Sequence, residues 1–197
     1  MVFRLGLTGS IGMGKTATAR IFAEEGCEVW DADAAVHRAY AEGGAAVEPI
    51  GAAFPEAVEN GAVSREALRR IIARDPDALA RIEAIVHPLV VADRAARADA
   101  AEADVVVFDI PLLFETGAER EMDAVAVVTA PPEEQRRRVL ARGSMTAADF
   151  EGILARQMLD TEKRARADYV IETDTPEHAR EQVRAILADI RRQQTDA

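Results

Sequence analysis

A glycine-rich stretch near the amino terminus has residue types and a spacing that could do chemistry. It reads Gly9-Ser10-Ile11-Gly12-Met13-Gly14-Lys15-Thr16 and matches the pattern G-x-x-x-x-G-K-[ST], with an apolar run before it and a helical pattern after it. Glycines let successive backbone N–H groups turn inward, and these amides form a nest for an anion at the start of the helix. Lys15 then reaches the β- and γ-phosphates, and the Thr16 hydroxyl coordinates Mg²⁺. The stretch predicts binding of a nucleoside triphosphate; its alternative is a chance glycine-rich turn.

Acidic residues follow two of the predicted strands. Asp31 and Asp33 come after the short run that ends at Trp30, and Asp109 follows an apolar run that ends at Phe108. The carboxyl ends of strands in an open α/β sheet face the ligand crevice, where a carboxylate can accept a proton from a substrate hydroxyl or hold metal-bound water. We predict a functional role for Asp33, with an N-cap as the alternative, and a capping or supporting role for Asp31. Asp109 is predicted to help hold metal-bound water.

A dense cationic run lies further along the chain, from Gln135 to Arg142. Arg138 and Arg142 are four residues apart, so on a helix they share one face. Two guanidinium groups suit the charge on a transferring phosphoryl group. The alternative is a solvated helix face, which is the usual meaning of a charge run.

Two further motifs leave more than one interpretation open. Leu112, Leu113 and Phe114 follow Asp109 and are equally compatible with the core and with an apolar wall for a ligand. His87 precedes a proline, and we predict that one helix ends at His87 and another begins at Pro88. A capping or core histidine is the default interpretation of such a position.

Short apolar runs alternate with helical patterns along the chain, which predicts a mainly parallel sheet with helices on both faces. The stretch from 34 to about 101 exceeds one crossover, is mostly helical by pattern, and predicts a side subdomain. Ser64, Asp75 and the pair Thr146/Asp149 are predicted helix caps, with Pro76 at a first helical position. The predicted strands span 2–7, 28–30, 105–108, 124–128 and 169–171, and the predicted flanking helices span 15–25, 131–142 and 175–192.

Composition limits the possible function classes. The chain has 197 residues, 35 acidic and 24 basic, and its net charge of −11 argues against a general nucleic-acid or anionic-membrane binder. Cys27 is the single cysteine, which excludes an intrachain disulfide and a cysteine-cluster metal site and fits a reducing cytoplasm. We find no pattern of a targeting or membrane-spanning segment.

Among proteins with this glycine-rich motif, several classes are disfavoured. Neither lysine follows an asparagine, so the guanine-reading Asn-Lys-x-Asp stretch of GTPase switches is missing. Small size and a helical insertion favour a metabolite kinase. The stretch after Asp109 lacks the Gly and Arg that nucleoside monophosphate kinases show. Another small-metabolite kinase and a non-catalytic ATP-binding regulator remain as alternatives.

Taken together, the motifs resemble the dephospho-coenzyme A kinase family over nearly the whole chain. The glycine-rich motif alone is generic, whereas six motifs in this order are specific. They are Leu7 to Thr16, Asp31-Ala32-Asp33, Val86-His87-Pro88-Leu89, Pro111-Leu112-Leu113-Phe114-Glu115, the pattern Q-x-x-R-x-x-x-R from Gln135 to Arg142, and Ala167-Asp168-Tyr169-Val170-Ile171.

The resemblance implies a three-layer P-loop kinase fold with five parallel strands, a helical substrate subdomain at about 34–101 and a lid at about 136–158, all in one domain of residues 1–197. It implies phosphorylation of the ribose 3′-hydroxyl of dephospho-CoA by ATP with Mg²⁺, with Asp33 as the general base. It implies ATP contacts from the glycine-rich motif, Ala17, Arg138 and Arg142. The implied acceptor contacts are Thr8, Asp33, His87, Leu112, Leu113 and Glu115.

The chain departs from the family pattern in places. The family often has Gly, Ser and Ser at the positions of Ser10, Met13 and Thr16, and Thr16 keeps the hydroxyl. After Ile171 the family usually has Asp-Asn, whereas this chain has Glu172-Thr173-Asp174. We expect a cytoplasmic monomer or weak homo-oligomer with a small-molecule substrate, and no nucleic-acid or membrane partner.

Overall fold

Apolar strands form the centre of the structure, a computed structural model that describes residues 2–143 and 145–196. Within these residues the strands are β1 (Phe3–Thr8), β2 (Glu28–Asp31), β3 (Val58–Glu59), β4 (Ala62–Val63), β5 (Val105–Asp109), β6 (Ala124–Thr129) and β7 (Tyr169–Glu172). Five of them form one sheet in the order β2-β5-β1-β6-β7. Every residue of β5 and β6 is buried, as expected for parallel strands covered on both faces. The predicted five-stranded parallel α/β sheet is confirmed.

Helices make up most of the other regular structure in the described residues. They are α1 (Lys15–Glu24), α2 (Ala32–Tyr40), α3 (Val47–Ala53), α4 (Arg65–Arg74), α5 (Ala78–Asp99), α6 (Pro132–Ala141), α7 (Ala147–Leu154), α8 (Asp160–Arg166) and α9 (Pro176–Asp196). The described helices include none that is long and apolar enough to cross a membrane.

The register of the sheet decides which side chains reach its carboxyl edge together. β1 pairs in parallel with β5, where Leu7 lies opposite Asp109, and with β6, where Thr8 lies opposite Val127. The glycine-rich motif begins directly after Thr8. Asp109 is therefore held level with the start of that motif by the backbone pairing of two buried strands.

The chain divides into two compact units. One contains the residues up to Val29 and those from Ala101 onward, and the other is Trp30–Ala100. In the first unit α1 and α9 pack with the sheet around a core that includes Leu5, Phe22 and Ile190. The second unit has its own core, which includes Ile50, Ile71 and Ile82. Each unit therefore buries its own apolar side chains.

The second unit is mostly helical, as predicted, but it also contains a β-hairpin that the sequence pattern did not indicate. β3 and β4 pair antiparallel through a two-residue turn, in which Asn60 has φ 52° and Gly61 has φ 75°. Both values lie in the left-handed region that a type I′ turn requires, and Asn-Gly is the dipeptide that adopts it most readily. The Asn60-Gly61 dipeptide is visible in the sequence, but strands of two residues are too short to show a strand pattern.

The predicted break between His87 and Pro88 is wrong, because α5 continues through both residues. Proline removes one helical hydrogen bond and normally ends or kinks a helix. Here Pro88 lies on the exposed face, while Val86, Leu89 and Val90 pack against the core of the second unit. Residues that face the core recur at helical spacing on both sides of Pro88. The free energy gained by burying them outweighs the loss of one helical hydrogen bond.

Of the predicted caps, two are confirmed and one is wrong. The Ser64 side chain accepts from the Ala67 N–H, and Thr146 with Asp149 forms a full capping box. Asp75 instead follows α4 as its C-cap, and Pro76 is not helical, because the next helix begins at Ala78. The Asp75 carboxylate accepts from the Asp77 N–H at 3.0 Å, so it closes a turn before α5 rather than starting the helix.

Candidate active site

The glycine-rich motif forms a tight loop between β1 and α1. Gly12 and Gly14 have φ 80° and 91°, a conformation that side-chain-bearing residues rarely adopt. A Cβ on Gly12 would lie 2.6 Å from Val139 Cγ2, and one on Gly14 would lie 3.0 Å from Thr173 Oγ1. Val139 and Thr173 therefore lie so close to the loop backbone that a side chain at either glycine would clash with them. The loop has the strand–loop–helix setting that the motif requires for an anion nest.

Lys15 and Asp109 form an ion pair next to this loop. The Lys15 ammonium donates to Asp109 Oδ1, which the register of β1 and β5 brings within reach. The lysine side chain is 17% exposed, whereas the aspartate side chain is 3% exposed. The buried carboxylate thus holds a lysine that keeps access to solvent. The other predicted residues at the start of α1, Thr16 and Ala17, are exposed.

Thr8 and Ser10 are both buried beside the loop. The Thr8 hydroxyl donates to the Pro111 carbonyl at 3.1 Å, which ties the end of β1 to the segment after β5. The Ser10 carbonyl accepts from the Met13 N–H at 3.1 Å and closes the turn of the loop. These two predicted site residues lie at the loop but support its shape through the backbone.

Two glutamines contact the apex of the loop at Ile11. Gln135 Nε2 donates to the Ile11 carbonyl at 2.7 Å, and Gln157 Oε1 accepts from the Ile11 N–H at 3.2 Å. Gln135 was part of the cationic motif but had no predicted role, and Gln157 was missed. Gln157 lies outside every recognised pattern, so the sequence gave no signal for its contact with the loop.

Arg138 is held on the side of α6 that faces the end of β7. Its guanidinium donates to Glu134 at 2.7 Å and to the Thr173 hydroxyl at 2.9 Å. The Thr173 hydroxyl in turn donates to the Met13 carbonyl at 2.8 Å, so Arg138 is connected to the loop. Hydrogen bonds from Arg137 and Arg138 lower the pKa of Glu134 to about 2, which keeps it an anion. Arg142, at the end of α6, is exposed.

The segment after Asp109 separates into exposed and buried residues. Leu113 and Phe114 lie in the core, whereas Leu112 is 42% exposed, as a ligand wall requires. Glu115 pairs with Lys163 at 2.9 Å and accepts from the Met158 N–H at 2.9 Å. Burial alone raises the pKa of Glu115, but these hydrogen bonds outweigh burial and leave the pKa below its usual value. Glu115 therefore anchors the segment in place.

A cleft of about 590 Å³ opens beside the loop, between the ends of β6 and β7 and the starts of α6 and α8. Its walls combine apolar side chains with acidic groups and Arg164. The lining residues are Met13, Thr129, Ala130, Pro131, Pro132, Gln135, Leu159, Asp160, Thr161, Arg164, Glu172, Thr173 and Asp174.

Two predicted site residues belong to the second unit. Asp31 is the N-cap of α2, and its carboxylate accepts from the Ala34 N–H at 2.7 Å. Because Asp31 fills that position, the N-cap alternative for Asp33 is wrong. Asp33 lies in the first turn of α2 with an exposed side chain, and His87 is exposed on α5. The structure thus gathers the loop residues, Lys15, Asp109 and Arg138 in the first unit and leaves Asp33 and His87 in the second.

The oxygen atoms near the loop fit a hard divalent cation. Thr16 supplies a hydroxyl and Asp109 a carboxylate, the ligand types that Mg²⁺ prefers, while substrate phosphates and water commonly complete its shell. Within residues 2–143 and 145–196 no cluster of three or more His, Cys, Asp or Glu side chains could hold a metal alone. The Thr16 and Asp109 oxygens therefore suit a Mg²⁺ ion whose remaining ligands are phosphate and water oxygens.

Comparison with known proteins gives a family for this arrangement. The family model described as "CoaE: Dephospho-CoA kinase" matches residues 3–178. The match covers both the loop with its surrounding elements and the whole second unit.

Individual relatives agree over almost their full lengths. A curated dephospho-CoA kinase from Ruegeria pomeroyi is 66% identical over 191 residues, which is 97% of each chain. One from Cereibacter sphaeroides is 65% identical over 96% of each chain. The crystal structure of TT1252 from Thermus thermophilus superposes with a TM-score of 0.83 at 36% identity, covering 95% of this chain and 97% of that one.

Proposed function

Because this chain belongs to the dephospho-CoA kinase family, we propose that it transfers the γ-phosphoryl group of ATP to the ribose 3′-hydroxyl of dephospho-CoA, which yields coenzyme A and ADP. This reaction completes coenzyme A biosynthesis. A kinase takes its phosphoryl group from a nucleotide, and we assign ATP to this site as the donor.

One observation carries the proposal, namely the loop between β1 and α1 with Lys15 beside it. The loop leads into the first turn of α1, whose N–H groups have no helical acceptor, and the buried Asp109 keeps Lys15 at the loop. These groups bind the β- and γ-phosphates and draw negative charge from the bond that breaks. An ammonium that is 17% exposed can exchange part of its contact with Asp109 for a phosphate oxygen.

The proposed transfer needs a base for the acceptor and positive charge for the phosphoryl group. The acceptor 3′-oxygen forms a bond to the γ-phosphorus as the bond to the β-phosphate oxygen breaks, and the hydroxyl proton passes to Asp33. Arg138 and Arg142 neutralise the phosphoryl oxygens and exclude water. The contacts of Arg138 with Thr173 and Glu134 position its guanidinium before the nucleotide binds.

Thr16 and Asp109 are the residues that would hold Mg²⁺. When bound with the nucleotide, this ion supplies positive charge to the β- and γ-phosphates. The same carboxylate that orients Lys15 would then also face the metal-bound water.

Acceptor contacts form the remaining part of the proposal. Leu112 is the exposed residue of the segment after β5 and suits an apolar wall, while Leu113 and Glu115 hold that segment in place. Thr8 also ties the segment to β1 through Pro111. His87 is proposed to contact the acceptor from α5.

A coupled assay for ADP release tests the function directly. ADP formation by the purified chain is measured with no acceptor, with dephospho-CoA, and with other hydroxyl-bearing acceptors such as nucleosides, nucleoside monophosphates and shikimate. We expect release that depends on dephospho-CoA. Release stimulated by another acceptor instead would favour a different metabolite kinase, and ATP binding without turnover would favour a regulator.

Substitution of Asp33 tests the base. Asp33→Asn is expected to lower kcat by roughly 10²–10⁴, the usual contribution of a general base, with ATP affinity nearly unchanged. Asp31→Asn is a matched control because it removes a carboxylate two residues earlier but keeps the oxygen that caps α2. Equal kcat losses in the two variants would remove Asp33 from the role of base.

A further inference from the structure

Two glutamines hold one residue of the phosphate-binding loop from both sides of its backbone. The Ile11 carbonyl accepts from Gln135 Nε2 at 2.7 Å, and the Ile11 N–H donates to Gln157 Oε1 at 3.2 Å. Gln135 lies in α6 and is 5% exposed, and Gln157 lies between α7 and α8. Both hydrogen-bonding groups of a single loop residue are thus satisfied by side chains from distant parts of the chain.

These bonds fix the directions of two peptide planes. A trans peptide is planar, so its C=O and N–H point in opposite directions. When the Ile11 carbonyl points to Gln135, the Gly12 N–H in the same plane must point the opposite way. The Ser10–Ile11 peptide is fixed similarly, because the Ile11 N–H points to Gln157 and the Ser10 carbonyl accepts from Met13. The orientation of the Gly12 amide is therefore set from outside the loop.

Packing at Gly12 keeps this orientation from relaxing. A Cβ there would lie 3.0 Å from the Gln135 carbonyl and 2.6 Å from Val139 Cγ2, so α6 lies directly against the turn. Glycine at φ 80° could otherwise exchange readily with other backbone conformations. A flexible glycine is thus held by a helix surface and two side-chain amides.

We propose that Gln135 and Gln157 are positioning residues that keep the Gly12 N–H turned toward the terminal phosphate of the bound nucleotide. The inference rests on the proposed function, since it concerns the donor phosphates of that reaction. A preorganised N–H that faces developing charge contributes to the rate because it needs no reorganisation during the reaction. The glutamines act through the backbone and need not touch the nucleotide.

The test compares binding of ADP with binding of a non-hydrolysable ATP analogue, together with kcat. Gln135→Met and Gln157→Met remove the amides at similar side-chain length. Gln182→Met is a matched control, because Gln182 is half-buried like Gln157 and its amide also bonds to a backbone residue, accepting from the Glu172 N–H and donating to the Glu172 carbonyl. Calorimetry gives the two affinities, and thermal unfolding checks that each variant is folded.

We expect each loop variant to lose at least about tenfold in kcat and in affinity for the ATP analogue, with ADP affinity within about threefold of wild type. The Gln182 variant should leave the ratio of the two affinities unchanged. Equal losses for ADP and the analogue, or no loss for either, would overturn the inference, because a purely structural role has no preference for the terminal phosphate.

Gln157→Glu keeps the test decisive if a methionine variant at Gln135 does not fold. It retains an acceptor for the Ile11 N–H, so it should lose less analogue affinity than Gln157→Met when measured at high salt, which screens the added charge. Losses as large as in Gln157→Met would overturn the role of the acceptor. The binding experiments need no acceptor substrate, so a wild-type chain that fails to phosphorylate dephospho-CoA would refute the proposed function and leave this inference separately testable.

Discussion

The two lysines of this chain form ion pairs in two regions of the first unit. In one pair the lysine is the more exposed partner, and in the other it is the more buried partner. At the phosphate-binding loop, Lys15 is 17% exposed and its partner Asp109 is 3% exposed. At α8, Lys163 is completely buried and its partner Glu115 is 19% exposed. The remaining 22 of the 24 cations are arginines, which are mostly on the surface.

The difference separates a lysine that can meet a ligand from one that anchors structure. A buried carboxylate with a partly open ammonium leaves positive charge available to an incoming anion. A buried ammonium is shielded from any ligand, and its charge serves to hold Glu115 and the segment that follows β5. Both pairs join a lysine to a carboxylate, yet their consequences differ. The carboxylate is the more buried partner in the Lys15 pair, and the lysine is the more buried partner in the Lys163 pair.

Loss of the buried lysine should have the largest effect. Lys163→Met leaves Glu115 in its site without its partner, and we expect the free energy of unfolding to fall by about 3–5 kcal/mol. The double variant with Glu115→Gln should recover a large part of this loss, because no uncompensated charge remains. Urea unfolding measures both. A cost below about 1 kcal/mol for the single variant would show that the pair is not an anchor.

Loss of the loop lysine should act on catalysis instead. Lys15→Met is expected to lower kcat by roughly 10²–10³, equivalent to about 3–4 kcal/mol of transition-state stabilisation. Steady-state kinetics measures this against Lys163→Met at a temperature where both variants are folded, as circular dichroism can verify. The contrast between the two lysines would fail if both variants lost the same fraction of kcat.

Acid should weaken the anchor at α8. The folded-state pKa of Glu115 is lowered from its usual 4.5, so its contribution to stability is present above about pH 4.5 and is lost as pH falls through the lowered value. One such group contributes at most about 1.4 kcal/mol per pH unit. Lys163→Met removes a hydrogen bond and a charge that lower the pKa of Glu115, so the slope of unfolding free energy below pH 4.5 should be shallower than in wild type. An unchanged slope would contradict this assignment.

A smaller effect is expected for Arg166, which also anchors α8. Its guanidinium donates to Glu119 at 2.8 Å and lies 4.6 Å from the centre of the Phe114 ring. Arg166→Ala should lower the free energy of unfolding by about 1 kcal/mol. Arg164→Ala, on the same helix and exposed, provides the control and should cost less. Equal costs would assign the loss to helix propensity rather than to these contacts.

Sequence patterns were sufficient where one local signal decides the structure. The phosphate-binding loop, the buried strands and the cap at Thr146 each follow from a short pattern whose physics is local. The position of Asp33 after a strand indicated a functional role, and family resemblance then supplied its role as the base together with His87 and the other acceptor residues; these predictions remain to be tested.

Other features depended on tertiary contacts that no local pattern contains. Pro88 stays helical because core packing continues past it, and Gln157 bonds to a residue 146 positions away. Thr173 occupies a position where the family usually has another residue, yet it links Arg138 to the loop. No sequence pattern singled out Lys163, and its burial becomes evident only in the structure, where Glu115 lies opposite it.

Phosphorus NMR of a reaction with ATP and dephospho-CoA identifies the oxygen that receives the phosphoryl group and so tests the proposed reaction. We expect one new phosphomonoester on the ribose 3′-oxygen for each ADP formed, with neither product appearing when the acceptor is omitted. ADP and inorganic phosphate without a phosphorylated acceptor, or a phosphoryl group on a different oxygen, would contradict it.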